Sequence, residues 1–325
     1  MKLQPVDLCD VTVLVDNVTD LLSSVPDNVT PHSHNLIKTG KVRELSGTCA
    51  CCAHWGLSLV IRVKRGDLSH GLLFDTGPEG VTVERNGDKL GIDFSSIEEV
   101  VLSHGHWDHV GGLIGALKLI HQANGGKQVP VHVNDGMFVD RGMEMGDKVL
   151  PFAPVPGTAE IETAGGVIVS NPNAHTALDD MLYVSGEIPR VTPYEVGLPP
   201  SHVKKTGQGW QPDRLIMDER YLAVHVQGKG IIIFTACSHA GVVNVLKDAR
   251  NVFDPVPIYG VMGGFHLSGT TMEKIIPDTV RDLQQFDLQE IVPGHCTGWR
   301  AVHKLVDMFG EGRVVPSAVG QSHHF

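Results

Sequence analysis

The 325-residue sequence has no long uninterrupted hydrophobic run. No stretch approaches the roughly 18 apolar residues that a membrane-spanning helix needs. Residues 1–7 also lack the apolar core of a secretory signal. We therefore expect a cytoplasmic protein that does not contact a membrane.

Excess positive charge is also missing. The chain carries 26 Lys and Arg against 37 Asp and Glu, a formal net charge of −11, and its basic clusters are no longer than pairs such as Lys204-Lys205. Because non-specific nucleic-acid binding depends on many Lys and Arg contacts to phosphates, this balance disfavours a nuclease. We expect a small-molecule substrate and no nucleic-acid partner, and the sequence does not indicate the number of subunits.

Cysteine is scarce, and its six positions match no zinc-ribbon spacing. A cytoplasmic setting also argues against disulfide bonds. Cys49, Cys51 and Cys52 lie close together in the sequence. They form either a second metal or redox site or a reduced, partly buried loop, and the loop is the favoured interpretation.

The residues that are abundant describe an ordinary globular protein, with 42% hydrophobic and 19% charged residues. We predict one domain over residues 1–325 with insertions at about 20–52 and 136–215, where no clear periodicity is seen or prolines and glycines are frequent. Short β-branched runs predict strands, and apolar residues at helical spacing predict helices. The predicted strands include residues 11–15, 57–63, 71–74, 128–134, 166–170, 181–185, 221–226, 230–235, 257–262 and 290–292, and the predicted helices cover residues 112–123 and 271–286.

The most informative stretch is residues 100–112, where an apolar strand pattern ends in a histidine-rich turn. Four potential ligands follow within six residues, before a Gly-Gly pair begins a helix: His104, His106, Asp108 and His109. Neutral imidazoles and carboxylates are the usual ligands of zinc and related ions. His104 and His106 can share one side of the turn, and Asp108 with His109 would face a neighbouring position about 3.5–4 Å away, as in two-metal hydrolytic sites. We therefore predict a metal site at the end of this strand.

This His-x-His-x-Asp-His pattern is similar to the signature of the metallo-beta-lactamase superfamily. The surrounding sequence resembles, more narrowly, the family of dihydropterin ribofuranosylaminobenzene-phosphate synthases and related metal-dependent hydrolases. The segments that carry the resemblance are residues 56–61, 72–77, 101–112, 186–190, 237–244, 263–267 and 295–298. The chain departs from the pattern at Ala53-His54-Trp55, where relatives usually carry an acidic residue before the Gly-Leu-Ser segment.

The resemblance implies an α/β (α+β) fold, a four-layer αβ/βα sandwich with metals at one edge. It implies that His239 is the third imidazole on a first ion, beside His104 and His106. It also implies that His295 completes a second ion with Asp108 and His109. The expected cofactor is zinc, one or two ions per chain, with iron or manganese as alternatives.

Three further residues have implied places around this centre. In the superfamily an aspartate like Asp75 lies beneath the metal loop, where it can accept hydrogen bonds from loop amides or a ligating imidazole; a simple turn residue is the alternative. Cys237 stands where many members have an aspartate that bridges two ions, and it is either a thiolate ligand or a packed thiol. Asp218 is the other candidate for a bridging or terminal carboxylate.

Two more residues are candidates for contacts with the substrate. Arg190 lies in a segment that is near the substrate opening of relatives and could bind a carboxylate or phosphate. A salt bridge to Glu187 or Glu195 is the alternative. His266 is a candidate proton donor or substrate contact, and a structural hydrogen bond is equally compatible with its position.

The expected chemistry is hydrolysis at a binuclear metal site. A bound ion lowers the pKa of water toward about 7, and the metal-bound hydroxide, oriented by Asp108, would attack an ester, lactone, amide or phosphoester. The resemblance also implies an alternative, a transfer reaction like that of the pterin synthases. This alternative is disfavoured because the sequence contains no Gly-rich phosphate-binding loop. A single-iron dioxygenase is a further alternative.

Overall fold

The computed structural model describes residues 3–325, in which two large β-sheets pack face to face between layers of α-helices. The strands are β1 (Leu8–Val15), β2 (Val29–Thr30), β3 (Ser58–Arg65), β4 (Leu68–Phe74), β5 (Ile97–Val101), β6 (Val129–Val133), β7 (Arg141–Met145), β8 (Lys148–Pro151), β9 (Gly166–Ser170), β10 (His175–Ala177), β11 (Leu182–Val184), β12 (His202–Thr206), β13 (Gly209–Pro212), β14 (Leu222–Val226), β15 (Gly230–Thr235), β16 (Ile258–Gly264), β17 (Glu290–Gly294) and β18 (Ser322–His324). The helices are α1 (His32–Lys38), α2 (Gly80–Leu90), α3 (Trp107–Val110), α4 (Leu113–Ala123), α5 (Thr158–Thr163), α6 (Val242–Phe253), α7 (Ile276–Leu283) and α8 (Trp299–Phe309). Short 3-10 turns lie at Phe94–Ser96, Asp135–Met137, Met272–Ile275, Gln284–Phe286 and His295–Thr297.

Successive side chains of a strand point to opposite faces of a sheet. Each sheet can therefore pack against the other sheet on one face and against helices on the other face, which gives four layers. On β3, Leu59 and Ile61 pack against Ile232 and Phe234 of the second sheet, and Val60 packs on the helix side of its own sheet. Each sheet is therefore buried on both faces, which explains why its strands are almost continuously apolar. The predicted four-layer αβ/βα sandwich is confirmed.

Each large sheet begins with antiparallel strands and continues with parallel ones. The first sheet has the order β2-β18-β1-β3-β4-β5-β6-β9, and the pairs β4–β5, β5–β6 and β6–β9 are parallel. The second sheet has the order β10-β11-β14-β15-β16-β17, and the pairs β15–β16 and β16–β17 are parallel. Since parallel neighbours finish at the same edge, β4 and β5 in one sheet, and β15, β16 and β17 in the other, bring their following residues together.

A third, smaller sheet occupies the predicted insertion at 136–215. It has the order β13-β12-β7-β8, with antiparallel pairing throughout. The sequence predicted only the strands at 166–170 and 181–185, and the structure places both in the large sheets as β9 and β11. The small sheet was missed because its strands are largely exposed and carry residues such as Lys204 and Lys205 instead of an apolar alternation. The single-domain description remains a prediction.

The predicted loop at 20–52 is wrong over two stretches, because residues 29–30 form β2 and residues 32–38 form α1. His32 and Leu36, four residues apart, bury the same face of this helix. Of the nearby cysteines, Cys51 is buried and Cys49 and Cys52 are partly exposed, and all three are free thiols. Within residues 3–325 none of the three belongs to a group of side chains that could hold a metal ion.

Residues 3–325 include no helix that combines the length and the apolar character needed to cross a bilayer.

Candidate metal centre

Five strands end at one edge of the sandwich, and each is followed by a polar or sulfur-containing side chain. Asp75 follows β4, and the 104–109 turn follows β5. Cys237 and His239 follow β15, His266 follows β16, and His295 follows β17. Asp75, Ser238, His266 and His295 all have positive φ angles of 44–56°, a strained conformation that non-glycine residues adopt mostly where surrounding contacts require it.

The first cluster consists of three imidazoles whose nitrogen atoms point at one another. His104 Nε2 lies 3.0 Å from His106 Nδ1 and 3.1 Å from His239 Nε2. Burial, together with neighbouring cationic groups, holds the pKa of each of the three rings well below its usual value. The rings are therefore neutral, which is the form that binds metal ions.

The second cluster combines a carboxylate with two imidazoles. Asp108 Oδ2 lies 3.4 Å from His295 Nε2 and 3.8 Å from His109 Nε2. Burial favours the neutral acid, but the adjacent His109 and His295 outweigh it and lower the pKa of Asp108 below its ordinary value. Both ring nitrogens of His295 are buried without a hydrogen-bond partner, and such atoms cost on the order of 1–3 kcal/mol each unless they are satisfied.

Asp75 fixes the protonation pattern of two of these rings. Its carboxylate accepts hydrogen bonds from the Ser103 amide, the Ser103 hydroxyl and His109 Nδ1, each at 2.7 Å. The Ser103 hydroxyl, which donates its only proton to Asp75, must accept from His104 Nδ1 at 2.8 Å. His104 and His109 therefore both carry their proton on Nδ1 when neutral, and both present the lone pair of Nε2 to the centre.

Cys237 lies between the two clusters. Its Sγ is 3.1 Å from His109 Nε2, and it belongs to groups of potential ligands with His104 and His109, with His239 and His266, and with His295 and Cys296. The side chain is almost fully buried, and burial raises the pKa of the thiol well above its usual value. Cys296 is a neighbour whose Sγ contacts the Cys237 carbonyl oxygen at 3.6 Å.

Asp218 does not belong to either cluster, and its two oxygens have other partners. One accepts from the Gly105 amide at 2.9 Å and the other from Arg141 Nη2 at 2.5 Å. Arg141 also donates to Asp213 at 2.9 Å. The structure therefore places Asp218 against the backbone of the 104–109 turn, and no group of potential ligand atoms within residues 3–325 includes it, so its predicted role as a bridging or terminal carboxylate stays a prediction.

Arg190 and His266 differ in what they can contact. The Arg190 guanidinium donates to the carbonyl oxygen of Leu215 and lies 3.4 Å from that of Ile188, so it forms neither of the predicted salt bridges within residues 3–325. The ring of His266 lies 4.6 Å from that of His239, and His266 Nδ1 is buried without a partner. His266 thus keeps a free polar atom beside the first cluster.

Several residues of the site carried no signal in the sequence. Glu219 accepts from the amides of His239 and Ala240, both at 2.7 Å, and burial outweighs these bonds and raises the pKa of Glu219 to about 7. Phe152 directly follows β8 of the small sheet, and its ring lies 5.8 Å from that of His106. Trp55 lies 5.3 Å from His295. Only Ser103, adjacent to the histidine motif, could have been found from its position.

The side chains present fit a pair of divalent ions. Ligand atoms bound to one tetrahedral zinc are roughly 3.3–3.8 Å apart, given bonds of about 2.0–2.3 Å. The five separations given above for the two clusters and Cys237 range from 3.0 to 3.8 Å, and the ligand atoms within each group all lie within 4.8 Å of one another. The donors are nitrogen, sulfur and carboxylate oxygen, which suits zinc or iron better than calcium or magnesium.

Comparison with known proteins gives matches over most of the chain. A family model described as the metallo-beta-lactamase superfamily matches residues 56–190. A Methanocaldococcus jannaschii protein named 7,8-dihydropterin-6-methyl-4-(beta-D-ribofuranosyl)-aminobenzene-5'-phosphate synthase is 30% identical over 265 residues, covering 79% of this chain and 85% of that protein. An uncharacterized protein of the same organism is 29% identical over 259 residues, covering 78% of this chain and 88% of that protein.

A solved structure shares the whole architecture. It is described as Tm1679, a metal-dependent hydrolase of the beta-lactamase superfamily, and superposes with a TM-score of 0.68 at 24% sequence identity. The alignment covers 97% of this chain and 98% of that one. At this identity the likeness supports the fold and not a particular reaction.

Proposed function

Because the chain belongs to the metallo-beta-lactamase superfamily, we propose that it is a metal-dependent hydrolase of a small-molecule ester, lactone, amide or phosphoester. The observation that carries the proposal is the convergence of two ligand clusters at one edge of the sandwich. His104, His106 and His239 would hold one ion. The ligands proposed for a second ion are Asp108, His109 and His295.

Zinc is the proposed metal, and a bound divalent ion supplies Lewis acidity that polarises a substrate oxygen and acidifies water. Asp108 of the second cluster is ionised and slightly accessible to solvent, so its carboxylate can orient a water molecule and accept its proton. His266, with Nδ1 free, can deliver a proton to the leaving group. The acidic net charge supports a small molecule over a nucleic acid as substrate.

The small third sheet is proposed to enclose the substrate. It brings the Phe152 ring to 5.8 Å from His106 and 6.5 Å from His202. An apolar ring at this position excludes water from one side of the ligands, which strengthens electrostatic interactions within the site. His202 has a buried Nδ1 without a partner and is a candidate for contact with the substrate.

A hydrolase panel tests the proposal directly. Protein loaded with zinc, iron or manganese is offered p-nitrophenyl esters, phosphodiesters and lactones, and we expect turnover of at least one class with the zinc form. His106→Ala should reduce the rate to that of protein-free solution, and His34→Ala, which alters an exposed histidine of α1, should retain it. Equal rates for His106→Ala and the unaltered protein would contradict the proposal.

A second candidate function is a pterin-related synthase, which is favoured by the 30% identity and 85% coverage of the relative with that name. The same metal-loaded protein is tested for formation of the product in that name by mass spectrometry. Product formation, with no hydrolysis of any panel substrate, would favour the synthase.

A further inference from the structure

We propose that a pocket on the helix side of the first sheet binds a small polyhydroxylated molecule that carries a phosphate group. The pocket has a volume of about 580 Å³, and small-molecule sites usually have volumes of about 300–1,000 Å³. Strands β1, β2, β3 and β18 form its floor, and its walls come from α1 and from the residues at the end of α2. This site goes beyond the proposed function and does not depend on it.

The pocket lies far from the metal centre. Asp10 of the floor precedes Asp16 by six residues, and Asp16 accepts a hydrogen bond from the His295 amide at 3.0 Å. At about 3.3 Å per residue, the floor is therefore roughly 20 Å from the metal-binding edge of the sheet. None of the residues that line the pocket belongs to a group of potential metal ligands within residues 3–325.

The floor is polar at a place where a covered sheet is normally apolar. On the helix side of β1, Leu14 belongs to an apolar cluster, but Asp10 and Thr12 on the same face line the pocket. In the register of the sheet, Asp10 lies between Arg62 of β3 and His324 of β18. Because strands that are covered on both faces are almost continuously apolar, this polar row indicates a part of the sheet that faces water or a polar ligand.

Hydrogen bonds hold the side chains of the floor in place. His324 Nδ1 donates to Asp10 at 2.6 Å, and the Thr30 hydroxyl lies 2.8 Å from His324 Nε2. The hydroxyls of Thr12 and Ser322 lie 2.9 Å apart. Each hydroxyl can form up to three hydrogen bonds, so the floor is ordered and still has hydrogen-bonding capacity for the hydroxyl groups of a ligand.

Two positive charges at the pocket have no acidic partner. The pocket is lined by three cationic side chains and only one carboxylate, although the whole chain has a net charge of −11. Lys41 is paired with Asp88 at 2.8 Å. Within residues 3–325, Lys38 forms no ion pair, and Arg62 donates only to the Ser96 hydroxyl, at 3.2 Å. Lys38 and Arg62 are therefore available for an anion.

A phosphate monoester fits these two charges better than a carboxylate does. It carries about −1.5 to −2 charges near pH 7, and the planar guanidinium of Arg62 can bind two of its oxygens at once. A local excess of positive charge also attracts an anion that the acidic remainder of the surface repels. Val60 and Ile92, which line the same pocket, provide apolar contacts for the carbon skeleton.

The test is isothermal titration calorimetry of the zinc-loaded, full-length protein with glucose 6-phosphate as the probe. We expect the unaltered protein to bind glucose 6-phosphate, to bind inorganic phosphate more weakly, and not to bind glucose. Arg62→Gln should weaken binding of the probe by roughly 10–100-fold, because it removes charge-assisted hydrogen bonds. Arg65→Gln, which alters an exposed arginine of the same strand, is the matched control and should leave the affinity unchanged.

Two further variants locate the probe. Lys38→Gln, which alters an exposed side chain, should weaken binding by about two- to fivefold, and it decides the test if circular dichroism shows that Arg62→Gln is not folded. His106→Ala should bind the probe like the unaltered protein, because the metal centre lies elsewhere.

Four results would overturn the inference without affecting the proposed hydrolase. The first is no binding of glucose 6-phosphate to the unaltered protein. The second is an affinity that is unchanged in folded Arg62→Gln, or in Lys38→Gln where Arg62→Gln does not fold. The third is equal binding of glucose and glucose 6-phosphate, which would assign the pocket to a neutral ligand. The fourth is loss of binding in His106→Ala, which would place the probe at the metal centre.

Discussion

Asp75 accepts a hydrogen bond from His109 Nδ1 at 2.7 Å, and both side chains are fully buried. The same Asp75 carboxylate oxygen receives the Ser103 hydroxyl, which in turn accepts from His104 Nδ1. One carboxylate therefore sets the proton position of one imidazole in each cluster. Outer partners of this kind hold metal-binding histidines in the correct tautomer and raise their basicity.

Replacing Asp75 by Asn should weaken metal binding without removing a ligand. An amide cannot accept all three hydrogen bonds with the strength of a carboxylate, so we expect the affinity for zinc to fall by roughly 10–100-fold. Competition with a chromophoric chelator measures the change. Asp67→Asn, in the exposed turn between β3 and β4, is the matched control and should bind zinc like the unaltered protein; an equal loss in both variants would contradict the role of Asp75.

Removing one histidine from each cluster should lower the metal content stepwise. We expect two zinc ions per unaltered chain, and about one in His239→Ala and in His295→Ala, because each variant leaves the other cluster complete. Metal analysis of the purified proteins by inductively coupled plasma mass spectrometry gives the count. His303→Ala, which alters an exposed histidine of α8, should keep both ions. A content that is unchanged in both cluster variants would show that these histidines are not ligands.

The metal-free protein should lose stability as the pH falls below about 6.5. Burial lowers the pKa of His104, His106 and His239 in the folded state, so below about 6.5 the unfolded chain binds protons that the folded chain does not. Each ring contributes a slope of up to about 1.4 kcal/mol per pH unit. Urea unfolding of chelator-treated protein between about pH 5 and 7 measures it.

His109 affects the stability of the metal-free protein in the opposite direction and in another pH range. Burial disfavours its charged form, but Asp108 and Asp75 outweigh burial and raise the pKa of His109 to about 9. The stabilisation that His109 contributes to the folded state is complete below about pH 6.5 and is lost as the pH rises toward 9. His109 therefore adds little to the change of unfolding free energy with pH on the acid side. Replacement of His104 by Ala should reduce the loss of unfolding free energy between about pH 7 and 5, and the control His34→Ala should not. An unfolding free energy that does not change with pH in the unaltered metal-free protein would contradict the expectation.

Arg141 should be important for stability although it is not a ligand. Its guanidinium pairs with Asp213 and Asp218, and all three side chains are nearly inaccessible to solvent. Arg141→Met leaves two buried carboxylates without their guanidinium partner, and we expect a loss of about 3–5 kcal/mol of unfolding free energy. Denaturant unfolding measures the loss.

Lys204 offers the comparison for Arg141, because its ammonium lies 3.2 Å from Asp213 but its side chain is 38% exposed. Lys204→Met should cost no more than about 1 kcal/mol, since exposed ion pairs contribute little. Similar losses for both variants would show that burial does not distinguish the two pairs.

Much of the fold followed from the sequence because its strands are buried on both faces. The hairpin of β14 and β15 and the strand β16 lie within two residues of the predicted boundaries, since runs such as Ile231 to Phe234 are apolar without interruption. Exposed strands gave no such pattern, and the small sheet, whose strand β8 is followed by Phe152 near His106, was missed. α1 was missed because only two of its seven residues, His32 and Leu36, are buried.

The sequence by itself determined the spacing of His104, His106, Asp108 and His109, because six residues after a strand can reach only one small region. The register of distant strands decided the rest. It brought His239 and His295 to the same turn, directed Asp75 to His109 and Ser103, and assigned Asp218 to Gly105 and Arg141. These contacts join residues that are 28 to 187 positions apart and depend on how the strands and sheets pack. A local pattern of residue types contains no measure of the distance between such residues.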